Sequence, residues 1–302
     1  MKVEDIRRVL ILGAGHMGRQ IGTLCAIHGY EVVLYDVAAE ALTGALPQIK
    51  EYTDQFVIEG SLTQEEAKTT LGRITATDSP EKAATDVDLI SESILENPEL
   101  KGKVFGEFNK LCPSRTIFTT NTSTLMPSMF AAATGRPSQF AALHFHAPMR
   151  GVNLVDIMPH PGTSPETTDL ILAFTKRIGQ IPIILKKESP GYVYEAMQNA
   201  FTGVALLLRV GEVASMEDID RAWMAVTKMP FGPFGLLDRV GLDLVWYISD
   251  YQSNQSGDPI TRAVADFLKE YVDKGWTGLK NGRGFYSYPE PAYAQPGFME
   301  GE

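Results

Sequence analysis

The chain has 302 residues, 44% of them hydrophobic and 21% charged, a formal net charge of −10 at pH 7 and two cysteines. Single domains tend to divide beyond roughly 250 residues, so two domains are expected, and acidic charge scattered along the whole chain argues against nucleic acid as a partner. No apolar run approaches the ~20 residues that cross a bilayer and the N-terminus MKVEDIRR has no signal-peptide pattern, so a cytoplasmic protein without a membrane partner is expected; Cys25 and Cys112, in no CxxC pair, form neither a disulfide framework nor a cysteine metal site.

Short apolar runs recur in chain order at residues 9–12, 31–36, 73–77, 88–92, 116–120 and 140–145, most of them separated by stretches long enough for a helix. Strands alternating with helical spacers predict a parallel sheet covered on both faces. Runs at 154–158 and 181–185 follow and extend one edge of it. From residue 188 onward strands disappear. Residues 195–210 read as a long apolar helix, and Ser215 with Asp218 three residues on reads as a capping box for the next. The segment MPFGPFGLLDRVGLD breaks helix at Pro230, Gly232 and Pro233, and a helix resumes near Leu237. The expected fold class is therefore α/β: an N-terminal doubly wound, mostly parallel Rossmann domain over residues 1–188 and a smaller all-α C-terminal domain over 189–288. The boundary falls at Ser189-Pro190-Gly191, and the proline- and glycine-rich end, 289–302, reads as an extended tail.

Gly13-Ala14-Gly15-His16-Met17-Gly18 follows the first strand at once and opens a helical run. In a GxGxxG loop the first glycine permits the tight turn, the second lets the backbone approach a pyrophosphate, and the third lets helix and strand pack closely. The helix N-terminus adds unpaired N–H donors for the phosphates. His16 and Met17 lie in this cradle at its variable positions and need no special role. The second strand ends in Asp36, whose carboxylate can accept both ribose hydroxyls and would repel a 2′-phosphate, which favours NAD(H) as the cofactor. The plainer alternative is a glycine-rich turn without a nucleotide.

The fifth strand leads into Asn121-Thr122-Ser123-Thr124 and the sixth ends in His144-Phe145-His146-Ala147-Pro148. Both stand at carboxyl ends of parallel strands, where doubly wound sheets bind ligands. Together with GAGHMG, Glu96-Asn97-Pro98-Glu99-Leu100-Lys101, LVDIM, SPGY, FGPFGLLDRVGLD and Gly282-Arg283-Gly284-Phe285-Tyr286, these segments make nearly the whole chain resemble the 3-hydroxyacyl-CoA dehydrogenase family. Its wider relatives include gulonate dehydrogenase, lambda-crystallin and diketoreductase. The resemblance implies an NAD-dependent oxidoreductase acting on short-chain 3-hydroxyacyl-CoA and 3-ketoacyl-CoA, and a homodimer associating through the helical domain.

By the same resemblance His144 is the general acid/base for the 3-hydroxyl proton, a role that suits imidazole because its ordinary pKa is about 6.5. Asp156, twelve residues on, stands where the family has glutamate. Its implied role is to accept the other ring N–H and stabilise imidazolium; being one methylene shorter, it needs a closer strand or a bridging water. Ser123 matches a serine that hydrogen-bonds the reacting oxygen, although a helix cap is its ordinary alternative use. Glu96 and Lys101 match residues beside the nicotinamide ribose, and Asn121 joins the cofactor-binding set. His146 and His160 read as bystanders, and no metal is expected.

The chain departs from the family after Pro190-Gly191. An asparagine there orients the substrate carbonyl, whereas this chain has Glu195 and Ala196; an ionised glutamate cannot donate that hydrogen bond, and Asn199, one helical turn on, is its candidate substitute. A second family asparagine, just after the histidine, is replaced by His146 or Ala147. The stretch from Ala39 to Arg73, which the family presents to the CoA nucleotide, holds Glu40, Glu51, Asp54, Glu59, Glu65 and Glu66 against Lys50, Lys68 and Arg73, a poor phosphate clamp. Arg150 reads either as a grip for a substrate carboxylate or as a solvated loop residue. Two further readings stay open: a dehydrogenase of this fold for a hydroxy, keto or sugar acid without CoA, and an inactive NAD-binding structural protein.

Overall fold

The computed structural model describes residues 1–149 and 151–301. The chain forms two compact units, Met1–Val193 and Tyr194–Glu302.

The first unit is built on one sheet of eight strands: β1 (Arg8–Leu12), β2 (Glu31–Tyr35), β3 (Ile74–Thr77), β4 (Leu89–Glu92), β5 (Ile117–Thr120), β6 (Phe140–Phe145), β7 (Leu154–Pro159) and β8 (Ile181–Ile184). Their order is β3-β2-β1-β4-β5-β6-β7-β8. Successive residues of β1 alternate faces, as strand geometry requires: Val9 and Ile11 enter one core layer, Leu10 and Leu12 the other. Both layers need a cover. Helix α1 (His16–Ile27) brings Ile21, Leu24 and Cys25 to the first. The second is met by Phe105 and Phe108, after the outer helices α2 (Ala39–Ile58), α3 (Gln64–Gly72) and α4 (Pro80–Ala84) have passed and α5 (Pro98–Leu111) begins. Asn97 caps α5, its Oδ1 accepting the Leu100 N–H at 2.9 Å, and Pro98 occupies the first helical position. The sheet runs outward from β1 through β2 to β3, then returns to place β4 on the other side of β1. That reversal opens the crevice in which doubly wound folds bind ligands.

All neighbouring strands are parallel except β6 and β7. The predicted edge strands β7 and β8 are thus present, but the change of direction from β6 to β7 was not foreseen. Helix α6 (Pro165–Arg177), capped by Ser164, carries the chain from β7 back to β8 in parallel.

The second unit contains α7 (Tyr194–Val210), α8 (Met216–Thr227), α9 (Pro233–Val240), α10 (Leu242–Ser256) and α11 (Pro259–Val272). Ser215 caps α8 as its sequence suggests, accepting the Asp218 N–H at 3.0 Å, and Pro233 starts α9 slightly earlier than expected. Around the core of Leu206, Phe234, Leu237, Leu242 and Leu268 lie two buried carboxylates. Asp220 accepts the Phe234 and Gly235 N–H groups and the Tyr286 hydroxyl at 2.8–3.0 Å. Asp238 likewise accepts Phe285 N–H, Tyr286 N–H and the Tyr288 hydroxyl. These bonds tie FGPFGLLDRVGLD to GRGFY.

The expectation of an extended tail over 289–302 is wrong. The segment makes short turns at Ala292–Ala294 and Phe298–Glu300 and buries Tyr293 and Phe298 in this same core. Proline and glycine here shape turns, and burying each aromatic is worth about 1.5–3 kcal/mol.

Candidate active site

Where β1 ends, Gly13 has φ +99°, and a Cβ on it would fall 2.6 Å from the Ser93 carbonyl oxygen. A Cβ on Gly18 would fall inside the shell of the Gly13 carbonyl, so this glycine lets α1 lie against the strand. Gly15 is different. A Cβ there meets nothing within 4 Å, so the start of α1 faces open space beside its unpaired N–H groups. The residues therefore fit a dinucleotide pyrophosphate, which the backbone approaches at Gly15. Asp36, just past β2, accepts the Ala14 N–H at 2.8 Å and the Ala38 N–H at 2.9 Å, which holds its carboxylate at the mouth of the loop. His16 Nε2 lies 2.7 Å from Gln20 Nε2, and Met17 packs against the core.

The chemistry-bearing cluster forms on β5, β6 and β7. Register sets His144 of β6 directly opposite Asp156 of β7. Ser123, on the loop after β5, places Oγ 3.1 Å from His144 Nε2. On the other side of the ring, His144 Nδ1 is 3.7 Å from Asp156 Oδ2. That is close enough for an ion pair but too long for a hydrogen bond. The same oxygen instead accepts a hydrogen bond from His146 Nε2 at 2.8 Å. His146, read from the sequence as a bystander, is thus joined to this cluster by a hydrogen bond. It lies two residues beyond His144, the strand period that returns a side chain to the same face. Asp156 is fully buried; burial works to raise its pKa, but the two imidazoles outweigh it and hold the carboxyl below its usual range.

Tyr192 completes the surroundings, and sequence reasoning missed it. Its ring stacks on that of His144, centroids 4.6 Å apart and planes 16° apart, and its hydroxyl donates to the Thr122 carbonyl at 2.5 Å. Its backbone φ is +50°, in the region non-glycine residues rarely adopt. The available signal was an aromatic directly after Pro190-Gly191.

The loop that carries Ser123 is organised by Glu96. One carboxylate oxygen accepts the Ser123 and Thr124 N–H groups at 3.1 Å, the Thr124 hydroxyl at 3.0 Å and the Thr122 hydroxyl. Burial works against ionisation of Glu96, but these bonds and the Lys101 charge keep its pKa below the usual range. Lys101 is itself buried, 2.6 Å from Glu92 and 3.2 Å from Glu96. Neither residue's geometry speaks directly of ribose; what it shows is support for Ser123. Glu92 was also missed, although a carboxylate ending the apolar run DLISE was visible. Asn121 Oδ1 accepts the Phe145 N–H at 2.8 Å and so ties the β5 loop to β6.

Glu195 and Asn199 occupy the first turns of α7 in the helical unit, where Asn199 helps to line a cleft of about 270 Å³. Arg150 lies outside the described residues. In the acidic stretch after β2, Lys50 pairs with Asp54 at 2.7 Å and Arg73 donates to the Ala26 carbonyl. Among the described residues no helix is long and apolar enough to cross a membrane.

Residues 8–189 match the family described as 3-hydroxyacyl-CoA dehydrogenase, NAD binding domain, and residues 191–288 match 3-hydroxyacyl-CoA dehydrogenase, C-terminal domain. The chain belongs to the 3-hydroxyacyl-CoA dehydrogenase family. It is similar to a probable 3-hydroxybutyryl-CoA dehydrogenase of Bacillus subtilis, 32% identical over 95% of this chain and 99% of the relative. The human mitochondrial hydroxyacyl-coenzyme A dehydrogenase is 31% identical over 94% and 91%. Among solved structures, one of a diketoreductase is 36% identical with a TM-score of 0.87, covering 94% of this chain and 99% of that one. The (S)-3-hydroxybutyryl-CoA dehydrogenase of Ralstonia eutropha is 30% identical with a TM-score of 0.83 and the same coverage. As a member of this family the protein is an NAD-dependent oxidoreductase of the 3-hydroxyacyl-CoA dehydrogenase type.

Proposed function

We propose that the protein interconverts a short-chain 3-hydroxyacyl-CoA and the corresponding 3-ketoacyl-CoA, with His144 as general acid/base. The observation that carries this reading is Ser123 Oγ at 3.1 Å from His144 Nε2, at the carboxyl ends of β5 and β6. NAD, held by the Gly13–Gly18 loop and Asp36, supplies the hydride acceptor. His144 takes the hydroxyl proton on Nε2 in oxidation and returns it in reduction, while Ser123 donates to the same oxygen. Asp156, buried and ionised, favours the imidazolium that forms. Of the two helical-unit candidates, Asn199 carries an amide able to donate to a carbonyl and an ionised Glu195 does not.

His144→Ala is expected to lower turnover of acetoacetyl-CoA by roughly 100-fold or more with NADH affinity nearly unchanged, since general acid–base catalysis contributes about 10²–10⁴. Asp156→Asn should lower it too and add little to His144→Ala, because groups acting as a unit are non-additive. Turnover of His144→Ala near wild type would refute the mechanism.

A second reading, a substrate without CoA, draws on the likeness to diketoreductase and on the engagement of Lys50 and Arg73 within the chain. Following NADH consumption with acetoacetyl-CoA, free acetoacetate and a sugar acid separates the two. We also propose a homodimer formed through the helical unit. There Phe201, Val204, Leu208, Trp223 and Val226 line an apolar groove of about 660 Å³, with Val226 84% exposed. Sedimentation as a monomer at micromolar concentration would refute this.

A further inference from the structure

The geometry points to His146 as the positioning residue of this site: it holds Asp156 in place for His144, so that aspartate and a second histidine together do what a longer carboxylate would do alone. The inference rests on the reading of His144 as the general acid/base.

The argument begins with the sheet. The antiparallel register sets Asp156 opposite His144, and the two-residue strand period puts His146 on the same face, so the carboxylate rises between two imidazoles. Their rings are 4.7 Å apart and inclined at 63°. One oxygen, Asp156 Oδ2, is 2.8 Å from His146 Nε2 and 3.7 Å from His144 Nδ1. The aspartate thus falls roughly 1 Å short of a hydrogen bond to the ring it serves.

A fully buried carboxylate whose Oδ1 has no hydrogen-bond partner among the described residues needs a fixed donor to hold its position. His146 Nε2 supplies it. The bond fixes the carboxylate beside His144, where its negative charge favours the imidazolium that forms there. One face of the His144 ring is covered by Tyr192, which steadies the ring, and His146 holds the carboxylate that faces it. An added methylene, roughly 1.5 Å long, would close the gap to His144. His146 is the ring in hydrogen-bond contact with that carboxylate, so removing His146 is the change that would make room for it.

The test is a double-mutant cycle on the full chain, assayed with NADH and either acetoacetyl-CoA or free acetoacetate, whichever is reduced faster. His146→Phe keeps a ring and removes the donor; it is expected to lower kcat roughly 10- to 100-fold, with KM and Kd for NADH within about 3-fold of wild type. Asp156→Glu alone should also lower kcat, because the extra methylene overfills a packed site. Asp156→Glu combined with His146→Ala, which clears the ring and so makes room for the longer carboxylate, should recover activity above Asp156→Glu and above His146→Ala. In nitrogen-15 spectra of the unliganded protein, Asp156→Asn should shift the ring-nitrogen signals of His146. Wild-type kcat in His146→Phe, losses that simply multiply in the double variant, or His146 signals indifferent to Asp156→Asn would each overturn the assignment. His144→Ala is the separating control. If it retains wild-type turnover the acid/base reading fails; if it is inactive while His146→Phe is not, only the present inference fails.

Discussion

Lys101 Nζ lies 2.6 Å from Glu92 Oε1, and both side chains are shut away from water. Removing one partner strands a buried charge, so Lys101→Met is expected to cost about 3–5 kcal/mol in urea unfolding. Replacing both, Lys101→Met with Glu92→Leu, should cost less than the single change, because the buried Glu92 charge goes with its partner, while Glu96 is partly exposed and keeps its hydrogen bonds to the Ser123 loop. Since Lys101 also steadies Glu96, and Glu96 gathers the Ser123 loop, any folded Lys101 variant should show a kcat loss at unchanged secondary structure. A Lys101→Met protein as stable as wild type would contradict this account.

Two glycines of the nucleotide loop should fail in different ways. Gly18→Ala meets the Gly13 carbonyl and is expected to lower Tm by several degrees. Gly15→Ala meets no protein atom, so its Tm should stay near wild type while NADH affinity falls. Calorimetric melting and NADH titration of the two variants distinguish a structural glycine from one kept clear for a ligand. Unchanged NADH affinity in Gly15→Ala would move the pyrophosphate elsewhere.

Asp36 should discriminate between cofactors. With its carboxylate fixed by two backbone N–H groups, NADPH is expected to bind much more weakly than NADH. Asp36→Asn removes the charge, retains one acceptor oxygen, and should narrow that gap. Equal dissociation constants for both cofactors in the wild type would refute the assignment.

Burial pushes Asp220 up to about 6, with its three hydrogen bonds pulling the other way and Asp238 adding to the rise. A carboxyl raised in the folded state favours folding when protonated. Its contribution is therefore full below the unfolded value near 3.8 and is lost as pH rises to about 6. Relative to Asp220→Asn, the wild type should lose on the order of 3 kcal/mol across that window. Urea unfolding between pH 4 and pH 7 checks the sign: a wild-type curve that gains on the variant with rising pH would refute it.

Much of this was legible in the sequence because it depends on local pattern. The β6 run, Phe140–Phe145, has the predicted bounds, and most other strands agree within a residue or two, since apolar runs bounded by turns carry their own evidence. Gly13, Gly15, Gly18 and Asp36 were readable because the chain spacing of that motif fixes their geometry. What escaped reading depends on partners distant in the chain. Tyr192 meets His144 across 47 intervening residues. Asp156 was matched to His144, but which imidazole takes its hydrogen bond is decided within about an ångström, by packing that no spacing encodes. Tyr293 and Phe298 were hidden by the prolines and glycines around them, whose turns return both aromatics to the core.

The antiparallel pairing of β6 with β7 has a consequence for how this site can diversify. Because the ladder fixes His144 against Asp156, the distance between them does not depend on the length of the connection from residue 147 to 153. Apart from Met149, which packs in the core and donates its N–H to Gln20, that connection is open to replacement. Sequences of other lengths can be grafted there while His144 and Asp156 stay in register.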